Sequence, residues 1–159
     1  MRRQTLGFTL IELMIVVTII VALSGVSISA YLSYNNNQTI KNDTRQLIAE
    51  ILKAKNMAAG LQYPSECTSL QEVAIESIAV GGNLVGTKTT TSCTNQEYPE
   101  PVVNTLGSTT FNNIFTISFL PGSGYVSGGQ PVNIVITSVR DNTITKTITV
   151  GAYGQISEE

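Results

Sequence analysis

The stretch MRRQTLGFTLIELMIVVTIIV, residues 1–21, carries one side chain that its surroundings do not explain. A long apolar run begins at Phe8, yet a carboxylate, Glu12, stands near the start of that run. A lone charge at the centre of a bilayer costs about 2.5 to 3.5 kcal/mol on insertion scales. This cost indicates that Glu12 performs a task that an apolar residue could not.

The apolar run is long enough to cross a membrane. Residues 8–30 have Glu12 as their sole charged side chain. As a helix they would extend about 35 Å, against a hydrocarbon core of about 30 Å. Arg2 and Arg3 precede the run, and the next basic residue is Lys41. The positive-inside rule therefore predicts a cytoplasmic N terminus, with the rest of the chain outside.

Two ordinary interpretations account for part of this segment. A cleaved secretory signal peptide fits the basic start and the small residues at 27–30, but it fits neither Glu12 nor the length of the run. An uncleaved signal anchor that holds an envelope binding protein explains the length. It leaves Glu12 without a task.

A third interpretation rests on the segment RRQTLG followed by FTLIEL, which resembles the class III signal of type IV pilins and type II secretion pseudopilins. A basic leader ends in Gly7, Phe8 follows, and Glu12 stands at the spacing typical of that family. The resemblance implies that a prepilin peptidase cuts between Gly7 and Phe8 and then methylates the amine of Phe8. It also implies membrane lipid, other pilin or pseudopilin subunits and an inner-membrane assembly platform as partners.

Cleavage would give Glu12 an electrostatic partner. The new amine on Phe8 stays cationic after methylation, and Glu12 lies one helical turn further along the chain. Opposite charges attract far more strongly in a low-dielectric medium than in water. The resemblance implies that Glu12 pairs with such an amine during subunit assembly and sets the axial register, because an unpaired buried charge penalises other registers. The proline that many pilins carry further along this helix is absent here.

A second helical pattern follows in IKNDTRQLIAEILKAKNMAAG, residues 40–60. Ile40, Leu47, Ile51 and Ala58 recur at spacings of seven and four, which predicts one apolar helix face. We expect this face to pack in an ordinary core. Gly60 predicts the end of the helix.

From Val73 onward the apolar residues alternate with polar ones, which predicts β-strands. The segment LVGTKTTTS predicts an exposed strand, and NQEYPEPVVN, with its two prolines, predicts a loop. Turn residues separate three later segments. These predict three successive strands of one antiparallel sheet: FTISFL, PVNIVIT and TITKTITV.

The helix end EILKAKNMAAG, the segment ISFLPGSG and the closing ITVGAYGQI are together similar to GspH/FimT-type minor pseudopilins. In that group a segment of the form F-x-x-x-G precedes two final strands. The chain then closes on a strand followed by an aromatic or small residue, a glycine, a basic residue and an aliphatic one. Gln155 stands where the basic residue is usual. This second resemblance implies a minor subunit.

Composition excludes several functional classes. The formal net charge is −2 and the basic residues after Arg3 are scattered, so no nucleic acid is expected as a partner. The chain has no histidine, which excludes His-ligated metals and His-based triads. We find no nucleophile–base pair, phosphate-binding loop or carboxylate cluster with ligand spacing. We therefore expect no catalytic residue, no metal, no cofactor and no enzymatic activity.

The two cysteines, Cys67 and Cys93, have 25 residues between them. In an exported chain such a pair predicts a disulfide, whereas in the cytosol it would more often be two free thiols. Because the N-terminal segment predicts export, we expect Cys67 and Cys93 to form a disulfide.

These features predict an α+β, pilin-like fold, in which a long N-terminal α-helix with a membrane-inserted first half packs on a C-terminal antiparallel β-sheet. The expected parts are a leader peptide at 1–7, a transmembrane and assembly helix at 8–30, an amphipathic extension at 31–60 and an extracytoplasmic β-rich domain at 61–159. The expected function is that of a structural subunit, minor in abundance, of a type IV pilus or a type II secretion pseudopilus. The alternatives are a major pilin of a type IV pilus and a signal-anchored envelope binding protein. The expected location is the cytoplasmic membrane, crossed once, and then the filament.

Overall fold

Within the residues that the structure describes, one helix precedes all of the β-structure. The computed structural model describes residues 9–159, without the side chains of residues 24–27, 29 and 104. Helix α1 spans Leu10–Ala59, and nine strands follow it within the described residues. The predicted leader and the bond between Gly7 and Phe8 lie outside the described residues. The chain divides into two compact units, one that ends at Asn35 and one that comprises Asn36–Glu159.

The end of α1 follows from its local sequence, although Gly60 is not the residue that takes the left-handed conformation. The N–H of Leu61 donates to the carbonyl of Ala58, and the N–H of Gln62 donates to the carbonyl of Met57. These two bonds form a Schellman motif, which needs a left-handed residue just beyond the helix. That residue is Leu61, with φ at 51°.

The predicted apolar face of α1 is buried in the second unit. Ile40, Leu47, Ile51 and Ala58 are each at most 1% exposed. Ala54 continues the same face and is also fully buried. Because this face joins the core residues of both sheets, it anchors the helix to the β-structure.

The first sheet is antiparallel and begins with a hairpin. Strands β1 (Leu70–Val80) and β2 (Asn83–Cys93) are joined by Gly81 and Gly82, both with positive φ, as a tight two-residue hairpin turn requires. Three further strands join them in the order β3-β2-β1-β6, and β4 also pairs with β2. The strands are β1 Leu70–Val80, β2 Asn83–Cys93, β3 Glu97–Pro99, β4 Val103–Asn104 and β6 Thr116–Phe119.

The second sheet is also antiparallel and contains the end of the chain. Its order is β5-β7-β8-β9, and its strands are β5 Thr109–Phe111, β7 Val132–Ser138, β8 Thr145–Val150 and β9 Ile156–Glu158. The turn between β7 and β8 spans residues 139–144. There the Asp141 carboxylate accepts hydrogen bonds from the backbone N–H and the hydroxyl of Thr143, which lower the pKa of Asp141.

The predicted fold class is confirmed, but the prediction that the last three long segments form one sheet is wrong. Strand β6 pairs with β1 in the first sheet, whereas β7 and β8 pair in the second. The chain after β6 turns back onto β6 itself: Leu120 N–H donates to the Tyr125 carbonyl, and Ser127 N–H donates to the Ser118 carbonyl. Since this turn occupies the outer edge of β6, β7 cannot pair there.

Two smaller predictions are corrected in the same region. The threonine-rich segment is strand β2, as predicted, but Thr87, Thr89 and Thr91 are buried, at 5% exposure or less. They are buried because they stand opposite Ser77, Ile75 and Val73 of β1, on the face of the sheet that packs in the core. The segment expected to be a loop contains β3 and β4, since Pro99 is the last residue of β3 and Pro101 lies between the two strands.

Candidate functional site

Glu12 lies in the first turn of α1, on the unit that ends at Asn35. Thr9 precedes the helix, and its Oγ1 accepts a hydrogen bond from the Glu12 N–H at 3.3 Å. The pattern Thr-x-x-Glu is that of a capping box. A carboxylate in the first turn is also favoured by the helix dipole. The structure shows the half of this motif in which Thr9 caps the helix, and the Thr9-x-x-Glu12 spacing indicates a second, local role for Glu12 at the helix start that the sequence prediction did not consider.

The helix surface after Thr9 is apolar and exposed. Large apolar side chains of this segment are exposed by 47–77%. They are Leu10, Ile11, Leu13, Met14, Ile15, Val16, Val17, Ile19, Ile20, Val21, Leu23, Ile28 and Leu32. A contiguous apolar surface of this size on a soluble monomer would mark a site of contact with protein or lipid. Glu12 is the one charged residue among positions 9–40.

The sequence predicts that residues 8–30 cross a membrane as a helix. Within the described part of the chain, no helix is both long and apolar enough to cross a membrane.

Cys67 and Cys93 form a disulfide, with their Cα atoms 5.6 Å apart. Leu70, three residues after Cys67, pairs with Cys93 at the start of the β1–β2 hairpin. The disulfide therefore closes the open end of that hairpin. Both cysteines are buried, and they lie in the second unit, whereas Glu12 belongs to the first.

The C-terminal end of α1 is held by two glycine turns. The Lys55 ammonium donates to the Gly154 carbonyl at 2.9 Å, and Gly122 N–H donates to the Ala58 carbonyl at 2.9 Å. Gly124 and Gly154 are both buried and both have positive φ. A Cβ on Gly154 would come within 2.6 Å of the Gly124 carbonyl oxygen. The two turns are therefore stacked directly on each other.

These turns give a physical reason for the GspH/FimT-like sequence pattern. The segments ISFLPGSG and GAYGQI, far apart in sequence, meet at the helix end that EILKAKNMAAG forms. Gln155, which departs from the usual basic residue, accepts a hydrogen bond from the Tyr153 N–H through its side-chain oxygen. An uncharged side chain thus holds the last turn. Sequence spacing alone did not identify Lys55 as part of this arrangement.

A polar contact joins the N-terminal part of the buried helix face to the start of β5. Asp43 is 8% exposed, and its Oδ2 accepts hydrogen bonds from the Ser108 N–H at 3.0 Å and from the Thr109 hydroxyl at 2.8 Å. Asp43 stands on the same helix face as Ile40 and Leu47. The sequence prediction missed it because an aspartate between apolar positions reads as a surface residue.

Two depressions lie on the surface of the second unit. One, of about 550 Å³, is lined by the loop before β5 and by the turn after β7, and Arg140 is the one charged residue that lines it. Another, of about 670 Å³, lies beside α1 and contains the ion pair of Lys53 with Glu100, 2.5 Å long. That hydrogen bond raises the pKa of Lys53. Among residues 9–159, no group of His, Cys, Asp and Glu is arranged to hold a metal ion.

Comparison with known proteins covers both parts of the chain. Residues 2–28 match the prokaryotic N-terminal methylation motif. No curated protein sequence matches the chain significantly. The fold is similar to that of the type IV minor pilin FimU of Pseudomonas aeruginosa in two crystal forms.

The crystal form in space group P65 has a TM-score of 0.55 and 11% identity, and the match covers 75% of this chain and 91% of that one. The form in space group P21 has a TM-score of 0.55 and 10% identity, with 79% and 90% covered. At this identity the likeness concerns the fold. The resemblance to type IV pilins and pseudopilins is confirmed by the motif at the N terminus and by the fold that follows it.

Proposed function

We propose that this chain, which joins a prepilin-type methylation motif to a pilin fold, is a structural subunit of a type IV pilus or a type II secretion pseudopilus. The observation that carries the proposal is the motif at residues 2–28, which continues into the exposed apolar surface of α1. A subunit that assembles through a helix needs an apolar helix surface that its own domain leaves uncovered. No catalytic role is proposed.

The first step is proteolytic. A prepilin peptidase cuts between Gly7 and Phe8 and methylates the new amine of Phe8. Gly7 suits the cleavage point because it has no side chain to obstruct approach to the bond. Removal of residues 1–7 also removes Arg2 and Arg3, so the N terminus of the mature chain carries a single cationic group.

The second step is electrostatic. Helix α1 begins at Leu10, so Phe8 comes two residues before it in sequence, and Glu12 lies within its first turn. In a low-dielectric medium the amine of Phe8 and the carboxylate of Glu12 each need an opposite charge nearby. We propose that Glu12 of an incoming subunit pairs with the Phe8 amine of a subunit that is already assembled. Any other axial position would leave both charges buried and unpaired.

The proposed location follows from the sequence. Residues 8–30 would cross the cytoplasmic membrane once, in contact with lipid, and residues 61–159 would lie outside it, with 31–60 as the helical extension between them. An inner-membrane platform and other subunits would then move the chain from the membrane into the filament. The disulfide supports export, because such bonds persist outside the cytosol.

A minor rather than a main subunit is favoured by the pattern at the chain end. The stacked glycine turns at the end of α1 supply a structural basis for the GspH/FimT-like pattern. A major pilin of a type IV pilus is the alternative that low charge and modest size would allow. A signal-anchored envelope binding protein is the alternative from a different class. In that case the second unit would carry the function and Glu12 would have no role in assembly.

Mass spectrometry of the native N terminus tests the proposal. We expect a chain that begins at N-methyl-phenylalanine 8. The lost leader, MRRQTLG, accounts for about 0.8 kDa. Gly7→Leu should leave the full-length precursor in the membrane. An intact Met1 in cells that assemble filaments, or a start near Tyr31, would exclude the pilin interpretation and favour an anchor or a signal peptide.

A further inference from the structure

Two tyrosines mark the end of the exposed apolar surface on the unit that ends at Asn35. Tyr31 is 67% exposed and Tyr34 is 64% exposed. They stand three residues apart on α1, so their side chains lie on the same helix face. Leu32 is the last exposed aliphatic side chain before residues 35–37, which are all asparagine. The helix surface therefore changes from apolar to polar at Tyr31 and Tyr34, which we call the tyrosine pair.

The chemistry of tyrosine suits the boundary of a membrane. Its ring is apolar and its hydroxyl is polar, and tyrosine is enriched at membrane–water interfaces for that reason. A tyrosine that served the protein core would be buried, whereas both of these rings are mostly exposed. They continue the surface formed by Ile28 and Leu32, which are 61% and 51% exposed. The medium that covers those apolar side chains therefore ends at the tyrosine pair.

The distance from the tyrosine pair back to Glu12 matches the thickness of a bilayer. Ile11 and Tyr31 both belong to α1 and are twenty residues apart, which corresponds to about 30 Å along the helix axis. The hydrocarbon core of a bilayer is also about 30 Å thick. When Tyr31 lies at one boundary of an upright helix, Ile11 lies at the other, and Glu12 is one residue inside it. The Cα–Cβ bond of a helical residue tilts toward the helix N terminus, so the Glu12 carboxylate is directed back toward that boundary.

We propose that the tyrosine pair lies in the headgroup layer on the outer side of the cytoplasmic membrane and sets the depth of α1, so that the Glu12 carboxylate is held at the inner boundary of the bilayer. This inference rests on the proposed function, in which residues 8–30 cross that membrane. The charge of Glu12 is then hydrated while the subunit remains in the membrane, and it avoids the cost of a charge at the bilayer centre. It enters low-dielectric surroundings only when the helix moves outward into the filament.

The two ends of the segment then oppose the same movement. Outward movement of the helix carries Glu12 into the hydrocarbon by about 1.5 Å for each residue. It also moves the tyrosine pair out of the headgroup layer. Both changes cost free energy, so a subunit whose Glu12 has no cationic partner stays at its resting depth. Pairing of Glu12 with the Phe8 amine of an assembled subunit removes the first cost, because the carboxylate is then no longer alone.

Tryptophan fluorescence measures the depth, because the chain contains no tryptophan of its own. Tyr31→Trp, Ile20→Trp and Ile11→Trp are made singly in the full chain, which is reconstituted into phosphatidylcholine vesicles brominated either near the headgroup or near the acyl-chain ends. We expect positions 31 and 11 to lie about 15 Å from the bilayer centre and position 20 to lie within about 3 Å of it. Tyr153→Trp, at a side chain that is 68% exposed in the other unit, is the control and should be quenched by neither lipid. Stronger quenching of position 31 or of position 11 by the deep bromines would overturn the inference.

Substitution of the pair tests whether it sets the depth. Tyr31→Leu with Tyr34→Leu, in the chain that carries Ile20→Trp, extends the apolar segment by four residues and moves its midpoint by two. Position 20 should therefore move about 3 Å away from the bilayer centre. Leucine favours the helix at least as well as tyrosine, so α1 persists. Tyr63→Leu, which removes an exposed tyrosine outside this segment, should leave the depth unchanged. An unchanged depth in the double Leu variant would overturn the role of the pair.

The outcomes also separate this inference from the proposed function. A chain that begins at N-methyl-phenylalanine 8 but has position 31 or position 11 near the bilayer centre leaves the subunit function intact and removes the proposed depth. If neither lipid quenches any of the three positions, the helix does not enter the bilayer, and the proposed membrane location fails together with the inference. A chain that retains its leader in filament-forming cells removes the proposed function itself.

Discussion

Single residues at the end of α1 carry constraints that hydropathy does not reveal. Leu61 takes a left-handed conformation at φ 51°, although Gly60 stands directly before it. Gly154 has no room for a Cβ, whereas Gly122, which has a similar φ, faces open space. Gly122 is therefore needed for its backbone conformation alone, whereas Gly154 is needed both for its conformation and for close packing.

This difference predicts unequal costs for two alanine substitutions. Gly122→Ala should lower the free energy of unfolding by about 1 kcal/mol, the cost of a left-handed L-residue. Gly154→Ala should lower it by about 2–4 kcal/mol, because overpacking against the Gly124 carbonyl is added. The measurement is urea unfolding of the detergent-solubilised chain, followed by tyrosine fluorescence. Equal losses for the two variants would show that the turns are not stacked as described.

Asp43 gives a second prediction at this scale. Asp43→Ala would leave the Ser108 N–H and the buried Thr109 hydroxyl without their acceptor, so stability should fall by about 2–3 kcal/mol. Asp43→Asn keeps one acceptor oxygen and should cost about 1 kcal/mol less. Thermal unfolding of the three chains in the same detergent measures the series. Equal losses of stability for Asp43→Ala and Asp43→Asn would mean that water replaces the carboxylate as the hydrogen-bond acceptor.

The strands themselves followed from the two-residue period, but their assignment to sheets did not. Alternation correctly indicated that Phe115, Ile117 and Phe119 share one buried face. It could not indicate that the segment after β6 folds back along its edge, because those hydrogen bonds are made by backbone atoms. A threonine-rich strand was expected at the surface because threonine is polar. Its buried threonines share a sheet face with Val73 and Ile75 of β1, and the threonine-rich segment alone does not show that this face is covered.

Some residues of the candidate site could be predicted from the sequence, and others could not. Glu12 stood out because a charge interrupts an apolar run, and Cys67 and Cys93 were the chain's only cysteines. Lys55 and Asp43 were not foreseeable, since each contacts residues at least 65 positions away.

At the scale of elements, the disulfide and the β1–β2 hairpin act on the same stretch of chain. The bond closes a loop over a sequence separation of 26 residues. In the chain-entropy description, closing a loop of this length stabilises the folded state by about 3.5 kcal/mol. The hairpin is also held by pairing along its length, from Leu70 with Cys93 to Val80 with Asn83. The strands should therefore persist without the disulfide, at lower stability.

Replacing both cysteines by serine tests whether strand pairing holds the hairpin without the disulfide. The double variant should unfold at lower urea concentration, with a loss of about 3.5 kcal/mol in the free energy of unfolding, and should keep its β-sheet circular dichroism in the absence of urea. Treatment of the wild type with a reductant should give the same shift. An unfolded double variant under native conditions would mean that strand pairing alone cannot hold the hairpin.

On the scale of the whole molecule, the chain combines two surfaces of opposite character. The unit that ends at Asn35 presents apolar side chains to its surroundings, whereas Asn36–Glu159 encloses a core of its own. A chain of this kind is incomplete until something covers the apolar helix. We infer that lipid covers it first and that like helices replace the lipid in the filament, with Glu12 selecting the register.

Two explanations of Glu12 make different demands on its chemistry. As part of a capping box, position 12 would accept glutamine as readily as glutamate, because the side-chain carbonyl can serve the same backbone N–H. As the partner of a cationic amine, it needs the negative charge. Glu12→Gln therefore separates a role in starting the helix from a role in assembly.

The incorporation of Glu12→Gln into filaments measures the proposed charge pairing with the least ambiguity. We predict that this variant is cut at Gly7 and inserted in the membrane like the wild type. The fraction of chain incorporated into filaments should fall about tenfold or more. Glu50→Gln, a matched loss of charge on the same helix, should be incorporated normally. Normal incorporation of Glu12→Gln would contradict the proposed pairing of Glu12 with the amine of Phe8.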